Sequence, residues 1–308
     1  MTLTELRYIV AVAREKHFGR AAEACFVSQP TLSVAIKKLE EELDVKLFER
    51  GTNEVSVTPL GEAIVRQAQS VIEQAAAIKD IAKRGKDPLN GPLKLGIIYT
   101  IGPYLLPELV RHAIELTPQM PLILQENFTA KLVDMLRTGE LDCAIMAEPF
   151  PDTGLAVAPL YDEPFTIAVP KGHPLAKRSS VGADELKRET MLLLGTGHCF
   201  RDHVLEVCPE YARFSSDAEG IRKSFEGSSL ETIKHMVASG MGVTVVPQLS
   251  VPRETTGGLV TYVPFEPPVP TRRVVLAWRR TFTRYEAIAA LRNAVYACQL
   301  DGVTRLTA

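Results

Sequence analysis

Cys199 and Cys208 stand nine positions apart in the stretch GTGHCFRDHVLEVCP, residues 195–209, in the company of two histidines, an arginine and an aspartate. Four fates fit such a pair: inert core filling, metal ligation, nucleophilic turnover, or reversible oxidation. The apolar Met191-Leu192-Leu193-Leu194 followed by Gly195-Thr196-Gly197 reads as a strand and a turn, which places Cys199 at the start of a helix beside His198 and Arg201. A helix N-terminus and neighbouring cations favour the thiolate, the reactive form of cysteine. A thiolate that attacks a peroxide O–O bond becomes a sulfenic acid, which a second thiol converts to a disulfide. Cys208, followed by the helix-ending Pro209, is the nearest second thiol in sequence.

Geometry constrains that last option. If 199–208 is helical, nine steps of ~1.5 Å separate the two α-carbons by ~13 Å. A disulfide needs roughly 4.4–6.8 Å. The bond therefore requires the segment to unwind, and a redox switch would draw its signal from that change. The rivals stay open on residues alone. Two buried thiols would be inert. His198, Cys199, His203 and Cys208 offer metal-ligand atoms but lack the short cysteine clamps of structural zinc, so no metal is expected. A Cys199–His198 catalytic pair lacks a third orienting group. Of the remaining cysteines, Cys25 and Cys143 fall inside apolar elements, and no role follows for Cys298 or His203.

The 308-residue chain that must position these groups is long enough for two or three domains. With 46% hydrophobic and 23% charged residues it reads as an ordinary globular protein. Its first residues, MTLTELRYIVAVAREKHFGR, lack a signal-peptide apolar core, and no uncharged run has membrane-spanning length. A cytoplasmic location is expected, where a disulfide is transient rather than structural. The formal charge is −2, and residues 1–58 carry eight lysines and arginines against nine acids. Bulk charge thus gives nucleic-acid binding no support, and placement must carry it.

Placement does. Leu3, Leu6, Ile9, Val10 and Ala13 recur at helical spacing. Ala21, Ala22 and Ala24 make a short helix that another can cross closely, Phe26-Val27 turn the chain, and Ser28 caps a helix with Pro30 in its first turn. Leu32, Ile36, Leu39 and Leu43 form its apolar stripe. Ser28, Gln29, Pro30, Thr31 and Ser33 are left to face base edges, and Lys37 and Lys38 to reach phosphates, as in a helix-turn-helix. Glu40 to Asp44 would point off the duplex. Leu47-Phe48 and Val55-Ser56-Val57 flank a turn and read as a wing, with Arg50 aimed at a groove or phosphate.

Phe18-Gly19-Arg20-Ala21-Ala22, Val27-Ser28-Gln29-Pro30-Thr31-Leu32-Ser33, Ile36-Lys37-Lys38-Leu39-Glu40, Leu47-Phe48-Glu49-Arg50 and Thr58-Pro59-Leu60-Gly61 resemble the N-terminal signature of LysR-type transcriptional regulators. From Pro59 an apolar stripe (Ile64, Ala68, Val71, Ile72, Ala75, Ile78, Ile81, Ala82) predicts a helix of ~40 Å that buries against a second copy of itself. Residues 85–92 read as a hinge. Beyond it apolar strands alternate with helices: strands at 93–98, 122–126, 142–146, 165–169, 191–194, 243–246 and 273–278, with Ser228 and Glu231 forming a capping box. No dinucleotide or Walker pattern occurs, and no cofactor is expected.

The predicted fold class is α/β: a winged helix-turn-helix (1–58), a linker helix and hinge (59–91), and a regulatory domain (92–308). The resemblance implies that this domain is a two-lobed, periplasmic-binding-protein-like sensor, lobe I being 92–161 with 268–308 and lobe II 162–267. It also implies dimers paired into tetramers, promoter DNA as partner, and contact with RNA polymerase. Gly197 to Asp202 with Cys208, Tyr99 to Pro107, and Ser229 to Gly240 further resemble the peroxide-responsive members of that family. That resemblance implies Cys199 as the thiol that attacks hydrogen peroxide and Cys208 as the resolving thiol. It implies Thr100, Thr129, His198, Asp202 and Arg273 around the peroxide. Two other readings remain: a LysR-type regulator with a small organic effector between its lobes, and a thiol peroxidase.

Overall fold

The computed structural model describes residues 1–50, 55–84, 89–151, 154–213, 224–253 and 258–306. Helix α1 (Leu3–Glu15) opens on a capping box in which Thr2 and Glu5 satisfy each other's backbone amides. Its buried face is rotated from the expected one. Leu6, Tyr8, Ile9 and Val12 are inside, Leu3 is exposed, and Val10 and Ala13 are half-buried, because α1 packs against three other helices at once. Helix α2 (Phe18–Ala24) brings buried Ala21 and Ala22 against it. Phe26, at φ 57°, turns the chain. Ser28 then caps α3 (Gln29–Leu43) by accepting the Thr31 amide, with Leu32, Ile36 and Leu39 buried. Strands β1 (Phe48–Arg50) and β2 (Val55–Val57) pair antiparallel as the wing. Glu40 does not point away with the other acids: its carboxylate accepts the amides of Leu47 and Phe48 and braces the wing against α3.

Helix α4 (Pro59–Arg84) runs 26 residues from a Thr58 hydroxyl that accepts the Gly61 amide. Much of its stripe is used inside the chain. Ile64, Val65, Ala68 and Ile72 pack on the N-terminal core, while Val71 and Ile78 remain exposed. Less of the stripe is therefore exposed among the described residues than the periodicity suggested. The side chains of Ile81 and Ala82 and the hinge residues 85–88 lie outside the described residues.

The remaining chain builds β3 (Leu93–Ile98), α5 (Gly102–Leu116), β4 (Leu122–Asn127), α6 (Thr129–Arg137), β5 (Cys143–Ala147) and β6 (Leu155–Pro170). Then follow α7 (Ala183–Leu186), β7 (Met191–Leu194), α8 (Cys199–Val207), α9 (Glu210–Arg213), β8 (Ser224–Gly227) and α10 (Leu230–Ala238). The chain ends with β9 (Thr244–Pro247), β10 (Val260–Pro264), β11 (Thr271–Arg279), α11 (Tyr285–Ala297) and β12 (Thr304–Arg305). The main sheet runs β10-β6-β11-β5-β3-β4, with β9 and β12 also on β6. β3 is parallel to β4 and β5, and β11 is antiparallel to β5 and β6, so the sheet is mixed. β7 and β8 form a separate parallel pair.

Two hydrophobic cores share this scaffold. One gathers Leu95, Ile97, Leu105, Leu132, Ile145, Leu276 and Leu291. The other gathers Phe165, Ile167, Leu192, Phe200, Val204, Val237 and Val245. β6 serves both, giving Leu160 and Tyr161 to the first and Phe165, Ile167 and Val169 to the second. A strand that changes cores loses clean alternation, which is why only its apolar end stood out in sequence. Helix α10 is capped by Ser229, which accepts the Thr232 amide. The capping box expected from Ser228 does not form, and Glu231 instead accepts from Tyr104 at 2.6 Å and pairs with Lys234. Glu73 of α4 ion-pairs with Arg279 of β11 at 2.7 Å and accepts from Thr281, fastening the linker to the sheet. Among the described residues, no helix is long and apolar enough to cross a membrane.

Candidate functional site

Cys199 is the first residue of α8, and His198 at the cap makes no side-chain bond to the helix amides. The thiol thus sits at the positive end of the helix dipole. Gly197, at φ +102°, supplies a backbone turn that side-chain-bearing residues disfavour, and it places the helix end against Phe128. A small recess results, lined by Ile98, Tyr99, Thr100, Asn127, Phe128, Thr129, Gly197, His198 and Cys199. It leaves ≈ 10 Å³ for the centre of a water-sized molecule, about the lower limit for one occupant.

The recess is lined by both apolar and polar side chains. Thr129 begins α6, and its hydroxyl oxygen is buried with no hydrogen-bond partner. Thr100 is 3% exposed and accepts from Arg272 twice, at its hydroxyl (2.8 Å) and its carbonyl (2.9 Å). His198 donates from Nε2 to the Ser228 carbonyl at 3.2 Å and packs edge-on against Phe128 and Tyr99. Burial holds its pKa below the ordinary value, so the ring is neutral at pH 7. The expected cationic help for the thiol is therefore absent at His198. Arg201 donates from Nη1 to the Leu194 carbonyl at 2.9 Å.

Two expected pocket residues lie elsewhere. Asp202 is exposed on the outer face of α8. Arg273 is exposed and holds Asp162 with two hydrogen bonds of 2.8 and 2.9 Å. Successive residues on β11 point to opposite faces, and it is Arg272 that turns inward. Arg272 pairs with Glu163 at 2.8 Å, with both side chains 1% exposed, and its guanidinium lies 5.1 Å from the Phe200 ring centre. The signal available in sequence was the alternation Arg272–Val274–Leu276, whose inner face begins with that arginine.

Cys208 caps the other end of α8. It is fully buried in the second core, and burial pushes its pKa up to about 12. Cys199 instead packs against the first core. The two thiols are thus free and separated by a complete helix of Cys199–Val207, ~13 Å at 1.5 Å per residue. His203, between them, is buried and donates from Nε2 to the Glu148 carbonyl at 2.8 Å, while its Nδ1 has no partner. His198, Cys199, His203 and Cys208 do not converge as metal ligands; the metal-sized grouping among the described residues is Glu108, His112 and Cys298. There Arg253 and the Gln299 amide already occupy the carboxylate. Cys143 and Cys298 are buried and Cys25 is half-buried.

At the other end of the molecule, Gln29, Pro30, Thr31, Lys37 and Lys38 are exposed on α3 and Ser33 is half-buried. Ser28 and Thr31 share a hydroxyl contact of 2.7 Å. Val34, 68% exposed, lies on the same face one turn from both Pro30 and Lys38, and sequence reasoning passed it over. The side chain of Arg50 lies outside the described residues.

Residues 3–62 match the family model for bacterial regulatory helix-turn-helix proteins of the lysR family, and residues 86–297 match that for the LysR substrate binding domain. The chain belongs to the LysR family. It is therefore a DNA-binding transcription regulator rather than an enzyme. A LysR-family relative from Pectobacterium carotovorum subsp. carotovorum, called hydrogen peroxide-inducible genes activator, is 40% identical over 94% of this chain and 95% of its own. A full-length OxyR from Pseudomonas aeruginosa, solved with one cysteine replaced by aspartate, is 51% identical with a TM-score of 0.79, covering 97% of this chain and 95% of that one. OxyR from Corynebacterium glutamicum, solved as a cysteine-to-serine mutant with H2O2 bound, is 35% identical with a TM-score of 0.63, covering 96% and 91%.

Proposed function

We propose that this LysR-family regulator is a cytoplasmic activator of oxidative-stress genes that senses hydrogen peroxide by reversibly joining Cys199 to Cys208. The observation that carries this reading is the recess in which Cys199 meets the unpartnered Thr129 hydroxyl with room for about one water-sized molecule. Thr100, Thr129 and His198 orient the peroxide there. The Cys199 thiolate attacks one oxygen, the O–O bond breaks, and the departing hydroxide takes a proton and leaves as water. The resulting sulfenic acid is attacked by the Cys208 sulfur, which gives up its proton, and a second water leaves as the S–S bond forms. Two thiols supply both electrons, so no cofactor is needed.

The sensor works as two lobes, 92–161 with 268–308 against 162–267, hinged to the linker helix at 59–91 and the winged helix-turn-helix at 1–58. Gln29, Pro30, Thr31 and Ser33 read promoter DNA from an α3 start capped by Ser28, while Lys37, Lys38 and Arg50 hold phosphates. The protein acts as a dimer of dimers and engages RNA polymerase. The Cys199 recess is far smaller than an ordinary organic-ligand site of roughly 300 Å³ or more, whereas a separate cavity of ≈ 540 Å³ lies between the lobes among Tyr104, Glu108, Leu249, Arg253 and Leu300.

The test is mass spectrometry after one equivalent of hydrogen peroxide. A Cys199–Cys208 linkage should form and reverse with thiol reductant, and Cys208→Ser should leave a trapped sulfenate on Cys199. An oxidised protein with either thiol still free to alkylate would overturn the reading.

A further inference from the structure

His203 lies four residues after Cys199 and five before Cys208, in the middle of the helix that must unwind if the two sulfurs are to meet. Its ring sits in the second core, 6.1 Å from the ring of Phe165 and 6.4 Å from that of Phe200. Its one described hydrogen bond leaves that core: Nε2 donates to the carbonyl of Glu148 at 2.8 Å. Glu148 follows β5, whose residues belong to the first core, and its own amide bonds to the Arg273 carbonyl on β11. One side chain thus joins the inter-thiol helix to the sheet of the other half.

The acceptor is a carbonyl, so Nε2 carries the hydrogen, and burial with Arg272 nearby holds the ring neutral. Nδ1 is then a bare acceptor in a residue only 6% exposed. Nothing else described compensates it, so the ring is kept in place by the Glu148 bond and by aromatic packing. A hydrogen bond fails once its atoms move by about 0.5–1 Å. Bringing the cysteine α-carbons from ~13 Å to under ~7 Å moves the middle of the segment by several times that.

We propose that His203 is the tether through which the inter-thiol helix reports to the other lobe. It holds the helix to Glu148 in the dithiol form, and disulfide formation pulls it away and frees the end of β5. This rests on the peroxide-switch reading above and adds where the signal leaves the helix. His203 is a positioning residue; it touches neither peroxide nor sulfur.

The test compares full-length wild type with His203→Phe, which keeps an aromatic ring but cannot donate, and His203→Gln, whose amide can donate to the same carbonyl. Redox titration of the Cys199–Cys208 couple is read by alkylation and mass spectrometry. Losing one ordinary hydrogen bond from the dithiol form alone shifts the equilibrium about five-fold toward disulfide, or about 20 mV more negative at 29.6 mV per tenfold. His203→Gln should return toward the wild-type value. Amide exchange at residues 143–148 should rise on oxidation in wild type, and in His203→Phe be raised already before oxidant, with little further change. An unshifted potential in His203→Phe together with an intact exchange response would overturn the tether. A Phe variant that does not fold leaves the Gln variant to decide: it must keep wild-type potential and exchange response. Absence of any Cys199–Cys208 linkage in wild type would instead remove the switch itself, and the tether with it.

Discussion

Arg272→Met is the sharpest perturbation of this architecture. The guanidinium donates from Nε to Glu163 at 2.9 Å and twice to Thr100, and both members of the ion pair are 1% exposed. Methionine fills much of the same volume but leaves the Glu163 carboxylate buried with the Leu249 amide as its one remaining described donor. Breaking a buried pair by removing one partner costs about 3–5 kcal/mol. At about 2–4 °C per kcal/mol for a domain of this size, the melting temperature should fall by about 6–20 °C. Pairing it with Glu163→Gln removes the stranded charge and should recover most of that loss. Peroxide oxidation of Cys199 should nonetheless stay slow in the double variant, by about ten-fold, because Thr100 is no longer held; a misoriented reactant loses about this much or more. Circular-dichroism melts and timed alkylation of Cys199 provide the two readouts. Arg273→Met, which disturbs an exposed contact with Asp162, should leave the melt within experimental scatter. A melt shifted under about 3 °C in Arg272→Met, or a larger loss from Arg273→Met than from Arg272→Met, would refute the assignment of faces on β11.

Thr129→Val replaces a buried, partnerless hydroxyl with a methyl group. It should leave the melting temperature unchanged or slightly raised while slowing Cys199 oxidation about ten-fold; unchanged oxidation would take Thr129 out of the recess chemistry. His198 and His203 both have pKa values lowered by burial from the ordinary 6.5. Below that value the unfolded chain binds protons that the folded one refuses, so stability present above pH 6.5 is lost as pH falls below it. Urea unfolding at pH 7.5, 6.5 and 5.5 should show this decline, shallower in His203→Phe; a parallel decline would be the contrary result. Lys38→Ala should weaken promoter binding across sequences and reduce the salt slope by about 0.9 if it neutralises one phosphate. An unchanged slope in fluorescence-anisotropy titrations would mean that Lys38 does not reach the backbone.

Much of the fold was legible in the chain because it is written locally. The Ser28 cap, the Leu32–Ile36–Leu39 stripe, the length of α4 and the strand at 93–98 each depend on neighbours within a few residues. The same holds for Cys199 at a helix start and Cys208 at its end, which turn and helix signals alone located. What misled was any feature needing knowledge of two sides at once. β6 concealed most of its length by serving two cores, and the α4 stripe overstated its exposed face because Ile64, Ala68 and Ile72 pack on the N-terminal core.

The sequence by itself determined which residues could be oxidised and that a helix would hold them apart, since spacing and helical rise are local quantities. It could not decide which arginine faces the threonine, that His198 is neutral, or that His203 reaches across to Glu148. Those depend on which face of β11 is buried, on how much water burial removes, and on the meeting of segments 55 residues apart. Only packing brings such groups together, and packing sets the charge and the partners that a buried side chain is allowed.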